Sequence, residues 1–183
     1  MKLMNKIVAG SLATALLGGF ALPAAAEVSA SASVATSYLW RGYDLGSGTP
    51  AASADIGVSA ESGLYAGLWV SAGDGTAGTE YDVFAGYAGE AGGLSYDVML
   101  VSYVYPTGGF SDTEGTIGDM MEVIVGLGYG PVSFTYYDNI AGENGGYAPS
   151  EDYTYMTLGL DVENFSFLVG THDFDPGDAT HFD

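Results

Sequence analysis

The chain contains no cysteine, which rules out disulfides and thiolate metal sites. It is almost without basic residues: three Lys and Arg stand against 23 Asp and Glu, for a formal net charge of −20. Two of the three, Lys2 and Lys6, lie at the very N-terminus, so Arg41 alone faces all 23 acids in the rest of the chain. Such a polyanion repels nucleic acid, which excludes DNA and RNA as partners, and it attracts cations. It also suits a saline habitat, where dense salt screens self-repulsion. Beyond the N-terminal region there is no run of about 20 apolar residues, so no transmembrane helix is available. Charge of this size often marks disorder. Here aromatic residues make up 13% of the chain and β-branched residues are plentiful, which argues for a folded domain.

The N-terminus reads as an export signal. Lys2 and Lys6 precede the apolar run Ile7–Leu22, which Gly18 and Gly19 interrupt, and Pro23 and Ala24-Ala25-Ala26 form a small-residue cleavage site. Residues 1–26 are therefore assigned to a secretory signal peptide and 27–183 to one domain. No cysteine follows the run to carry a lipid anchor.

What the remainder does have is rhythm. Strand-like segments are expected at Val28–Leu39, Ala51–Ala60, Leu64–Ala72, Thr79–Ala88, Leu94–Tyr105, Met120–Tyr129, Val132–Asp138, Asp152–Val162 and Phe165–Asp173, with Thr180–Asp183 opening another. Most have about the 9–11 residues that a tilted strand needs to cross a bilayer. Short connections (Glu61–Gly63, Gly89–Gly93, Tyr129–Pro131, Glu163–Asn164) alternate with long polar ones, such as Pro106–Asp119 and Asn139–Glu151. That sorting of loops by length belongs to membrane barrels, with short periplasmic turns and longer outer loops. The reading is an all-β, antiparallel up-and-down transmembrane β-barrel of about ten strands in the outer membrane of a Gram-negative bacterium. Bacterial single-chain barrels have an even strand number, so the last strand or strands are expected to be missing and the barrel domain C-terminally incomplete.

Polarity alternates with the strand period of two. One parity, including Leu68, Val83, Val98, Val125, Phe134, Leu158 and Phe167, carries no charge and reads as lipid-facing. The other holds Asp55, Glu80, Asp82, Asp97 and Glu122 with many glycines and hydroxyls, and reads as lumen. Apolar Val101 and Tyr103 in the fifth strand and Tyr153 and Tyr155 in the eighth break the pattern, so a bulge or unusual register is expected there.

Arg41 is the sharpest single residue. It shares the inward parity of the first strand near the outer mouth, level with Asp55, Glu80, Asp82, Glu122 and Asp138. Two readings stand: a constriction in which carboxylates attract cations and Arg41 orders them, or an ion-pair partner that closes the seam. With Asp97, these residues form the candidate lumen set. Asp173, Asp175 and Asp178 invite a calcium reading, and His172 and His181 a metal reading with them. The spacing fits no known loop logic, so no metal or cofactor is assigned. No Ser–His–acid constellation or nucleophile elbow occurs, and the pair Glu80 and Asp82, which could mimic a glycosidase pair, is more simply lumen-facing. The chain is read as a non-enzyme.

Ser33–Gly46 (SVATSYLWRGYDLG), Glu61–Asp74 (ESGLYAGLWVSAGD), Glu80–Val98 (EYDVFAGYAGEAGGLSYDV) and Tyr103–Pro106 together carry a family pattern. It comprises Arg-Gly after the first strand, a Gly/aromatic segment ending in Trp, a Glu-x-Asp strand, a Gly-rich turn and Ser-Tyr-Asp. In this the chain resembles the TorF-type porins, exported proteobacterial β-barrel proteins of otherwise unknown function. The second half matches only in strand rhythm, and Trp40 and the scarcity of basic residues depart from the pattern. The resemblance implies a porin-like barrel. The leading expectation is a narrow, cation-preferring channel for ions or small solutes, with membrane lipid around it. The alternatives are a plugged structural or adhesion barrel acting through the outer loops Gly42–Pro50, Pro106–Asp119 and Asn139–Glu151, and a soluble exported β-sandwich.

Overall fold

A computed structural model of the chain describes residues 26–142, 153–173 and 178–182. The expected signal segment lies outside the described residues save Ala26, as do Asp175 and most of the loop after Asn139. The elements in order are β1 (Ala26–Ala35), β2 (Leu39–Trp40), β3 (Tyr43–Asp44), β4 (Ala51–Ala60), β5 (Leu64–Asp74), β6 (Gly78–Ala91) and β7 (Leu94–Val104). A 3₁₀ turn at Gly108–Phe110 is followed by β8 (Met120–Tyr129), β9 (Val132–Ala141), β10 (Thr154–Val162), β11 (Phe165–Asp173) and β12 (Ala179–Phe182). No helix among the described residues is long and apolar enough to cross a membrane.

Ten of these strands form one antiparallel sheet in the order β1-β4-β5-β6-β7-β8-β9-β10-β11-β12, while β2 and β3 form a separate hairpin. Within the large sheet every strand pairs with its neighbour in the meander, as the alternating loop lengths require. The short turns are where glycine allows them. Gly92 and Gly93 have φ of 62° and 82°, the left-handed pair that a two-residue hairpin needs, and join Ala91 to its partner Leu94. The hydrogen-bond ladder does not run from β12 back to β1.

The register sets the two faces. Leu68 lies opposite Ile56 and Val83, Val98 opposite Tyr87 and Val125, and Leu158 opposite Phe134 and Val169. Residues directly opposite share a face, so the expected lipid-facing set does fall on one side. That side is open: Leu68, Val83, Val98, Phe134, Leu158 and Phe167 are all exposed, the last two at 52% and 57%, and Val125 is half-exposed. The other face is closed and polar. Its buried side chains include Glu80, Glu122, Asn139, His172, Tyr153 and Tyr155. The usual arrangement of apolar inside and polar outside is inverted.

The sheet curls because its polar face has something to close upon. Residues 38–42, leading into and through the β2–β3 turn, reach side chains on β5, β6, β8, β9, β10, β11 and β12. The hairpin occupies the hollow of the sheet.

Several expectations change. The first strand ends at Ala35 rather than Leu39, and Arg41 does not lie on it. The loop expected at Gly42–Pro50 begins inside the hollow. The register runs unbroken through Val101 and Tyr103 and through Tyr155. The irregularities fall instead between Ala72 and Asp74 and between Met121 and Glu122. The second skips Ile140 on β9 and moves only the Met121–Ala141 pair; up to it the register is unbroken, with Asn139 opposite Glu122 and Asp138 opposite Val123. Asp138 therefore belongs to the apolar face, and the buried Asn139 takes the inner place expected for it.

Candidate functional site

The hairpin β2–β3 turns on Arg41 and Gly42, whose φ values are 47° and 84°. Both are left-handed, as a two-residue hairpin of this kind requires. Leu39 pairs with Asp44 and Trp40 with Tyr43. At its base, Leu45 N–H (2.8 Å) and Gly46 N–H (3.2 Å) donate to the Tyr38 carbonyl. For a non-glycine residue the left-handed conformation costs of order 1–3 kcal/mol and persists only where surroundings over-determine it. Around Arg41 they do.

The Arg41 guanidinium grips Glu122 with both forks, Nη1 to Oε1 at 2.9 Å and Nη2 to Oε2 at 2.6 Å. The pair is almost dry, with side-chain exposures of 9% and 1%. A bidentate, charge-assisted pair of this geometry is among the stronger polar contacts in proteins. Tyr103 adds a third bond to the carboxylate, its hydroxyl donating to Oε2 at 2.6 Å. Burial alone disfavours the Arg41 charge, but the bonds to Glu122 and its field outweigh that, so the guanidinium is held more firmly protonated than usual.

A ring of hydrogen bonds then fixes the backbone. Arg41 Nη1 donates to the Tyr153 hydroxyl (3.1 Å), and His172 Nε2 lies 2.9 Å from the Arg41 carbonyl. A carbonyl only accepts, so Nε2 carries the proton. Nδ1 is then the acceptor for the Tyr153 hydroxyl at 2.8 Å. With both ring nitrogens engaged, His172 bridges the Arg41 carbonyl and the Tyr153 hydroxyl. Aromatic faces complete the cage: the guanidinium carbon lies 4.2 Å from the Tyr137 ring centre and 5.0 Å from that of Tyr155, within cation–π range.

The remaining acids of the candidate set do not converge on Arg41. Glu80 is buried and accepts from Tyr38 (2.5 Å) and Tyr105 (2.9 Å). Burial and then the field of Glu80 push the Tyr38 phenol up, keeping it a donor. Asp82 lies between Trp69 and Tyr103 on the same inner face, with Oδ1 buried and without a hydrogen bond. Asp55 accepts from the Ser31 hydroxyl, and Asp97 accepts from Tyr65 at 2.7 Å. Asp97 lies nearer the short-turn end, opposite Ala88 and Gly126. The inner face is acidic along its length, and the sole arginine is spent on one of its carboxylates. The expected single level of charges is not what forms.

A cavity of about 260 Å³ opens between the hairpin, the loop around Phe110 and the ends of β6, β7 and β8 that adjoin the long loops. Arg41, Glu80 and Glu122 line it together with Tyr38, Trp40 and Tyr105. Sequence reasoning missed the tyrosines as a class. Their signal was present: aromatic residues on a parity otherwise polar, which needs an object inside to pack against. Among the described residues, no group of three or more His, Asp or Glu is arranged to hold a metal ion.

The family model for "Bacterial protein of unknown function (Gcw_chp)" matches residues 21–172, and the chain belongs to that family. No curated protein and no solved structure matches the chain. The family description carries no activity, so the resemblance to the TorF-type porins bears only on what can be proposed.

Proposed function

We propose that the chain is an outer-membrane β-barrel whose acidic inner face, narrowed by the β2–β3 hairpin, forms a cation-preferring conduit for ions or very small solutes. The observation that carries this reading is the inverted distribution of polarity. Fully burying a Leu, Val or Phe side chain contributes about 1.5–3 kcal/mol. At half exposure, the seven outward residues from Leu68 to Phe167 forgo roughly 5–10 kcal/mol in water. That equals the whole stability of a typical domain. In a bilayer the loss vanishes, and an apolar face this continuous marks a membrane or interaction surface. The meander topology, the sorted loop lengths and the resemblance to the TorF-type porins support the same reading.

Charge sets the selectivity. Asp55, Glu80, Asp82, Asp97 and Glu122 all face inward, and Arg41 offsets one of them. A passage lined by carboxylates favours cations. Small barrels have little free interior, since about eight strands give a space that side chains nearly fill. The hairpin narrows it further, so the conduit suits only small permeants.

Planar-bilayer recording in a salt gradient tests this. The whole protein should conduct with a reversal potential on the cation-selective side, and Glu80→Gln with Asp82→Asn should move that potential toward zero. Loss of the hairpin (Leu39–Asp44 replaced by a short glycine linker) should raise the conductance. Preferential anion passage with those acids intact would end the proposal. The dry Arg41–Glu122 pair favours one second reading: a barrel plugged at this level that acts through its outer loops. Absence of conductance both with and without the hairpin would favour it.

A further inference from the structure

We infer that the cavity beside the hairpin binds a small organic cation, an ammonium group carried on a compact apolar body. The inference takes from the proposed function only the acidic inner face, and binding needs no open conduit.

Two features of the wall point to this ligand class. The first is aromatic: Tyr38, Trp40, Tyr103, Tyr105 and Phe110 all line the cavity. Phe110 comes from the long Pro106–Asp119 loop and meets Tyr105 edge-on at 5.4 Å between ring centres. Ring faces attract cations, most strongly where water is excluded, and such cages are a recurrent way of holding quaternary ammonium groups.

The second is uncompensated negative charge. Asp44, Asp74 and Glu80 also line the cavity. Each is hydrogen-bonded only to neutral donors. Asp44 accepts from the Ser37 hydroxyl. Asp74 accepts from the Thr76 and Ala77 amides at 2.6 and 2.7 Å. Glu80 accepts from Tyr38 and Tyr105. Those donors orient the carboxylates without cancelling their charge, and Arg41, the lone cationic side chain in the wall, is committed to Glu122.

The alternatives fit less well. An anion would meet three carboxylates. A bare metal ion wants several oxygens converging on one point, whereas no such group exists among the described residues. A cation with its own apolar surface uses both features at once. Size agrees: about 260 Å³ lies below the roughly 300–1,000 Å³ of pockets for drug-sized ligands.

Calorimetry on the whole protein folded in detergent micelles tests this, with choline as the probe and 3,3-dimethylbutan-1-ol as its neutral isostere. Choline should bind saturably and at least about tenfold tighter than the alcohol. Phe110→Ala, which removes one ring from an exposed loop, and Asp44→Asn, which removes charge while keeping shape, should each weaken choline several-fold. Both variants should keep the gel mobility of the folded protein. Equal binding of choline and the alcohol, or no saturable binding of choline at millimolar concentration, would overturn the inference. So would unchanged affinity in both folded variants. Conductance recorded without choline separates the two proposals. A protein that conducts without binding choline loses only this one, and a protein that binds choline without conducting loses only the channel.

Discussion

Glu122→Gln probes the structure at its most consequential point. The change keeps the shape of the side chain and removes its charge, leaving the Arg41 guanidinium at 9% exposure without its bidentate partner. Breaking a buried ion pair by neutralising one member costs about 3–5 kcal/mol, because the surviving charge stays desolvated. The cation–π faces of Tyr137 and Tyr155 offset part of this, by about 0.5–2 kcal/mol. The hairpin also has an escape: it can leave the hollow and return Arg41 to water. The measured loss is therefore capped by the docking energy of the hairpin, and a net cost of about 2–4 kcal/mol is expected. Trp40 reports the undocking directly, since its ring packs 5.9 Å from His172 and 6.1 Å from Tyr153. In a Trp69→Phe background its fluorescence should shift to the red in the variant before the sheet unfolds in urea. Arg41→Met combined with Glu122→Gln should recover much of the loss, giving a coupling energy above about 1 kcal/mol. A cost of E122Q below about 0.5 kcal/mol, with no Trp40 shift and no coupling, would refute the docked hairpin.

Two further substitutions test the faces and the turn. Leu158→Arg places a charge on the outer face between Phe134 and Val169, and refolding titrations in lipid vesicles should show a loss of about 2–4 kcal/mol. Near-zero cost would mean that no lipid contacts that surface. Gly42→Ala puts a Cβ at φ +84° and 2.6 Å from His181 Cγ. It should destabilise the hairpin by about 1–3 kcal/mol, read by the same Trp40 shift, with no change in the β-sheet signal in circular dichroism.

Much of the sheet was legible because its rules are local. Ala51–Ala60, Met120–Tyr129 and Phe165–Asp173 are bounded in the structure as the alternation and turn residues predict. Period-two polarity also placed Glu80, Asp82, Asp97 and Glu122 on the inner face. The hairpin was hidden for a physical reason. Its stabilising partners are distant in the chain, Glu122 by 81 residues and Tyr153 by 112, and Arg-Gly is not among the residue pairs that announce such a turn. The residues that broke the polarity pattern were the trace of it. Tyr103 bonds Glu122, Tyr153 bonds Arg41, and Tyr155 faces the guanidinium. What reads as a defect in a strand is the inner wall meeting the hairpin. Asp138 was misplaced because, in an unbroken register, it shares the parity of Phe134 and Tyr136 and lies opposite Val123 on the outer face.

The central claim is that the apolar face meets lipid, and the absence of native cysteine makes it directly measurable. Single cysteines at Leu68, Val98, Leu158 and Phe167, and on the inner face at Thr135 and Thr157, can each carry a fluorophore in vesicles containing brominated lipid. The account predicts strong quenching at the first four positions and little at the last two, so that adjacent residues Thr157 and Leu158 differ sharply. Equal quenching at these neighbours, or none at any of the six, would contradict it.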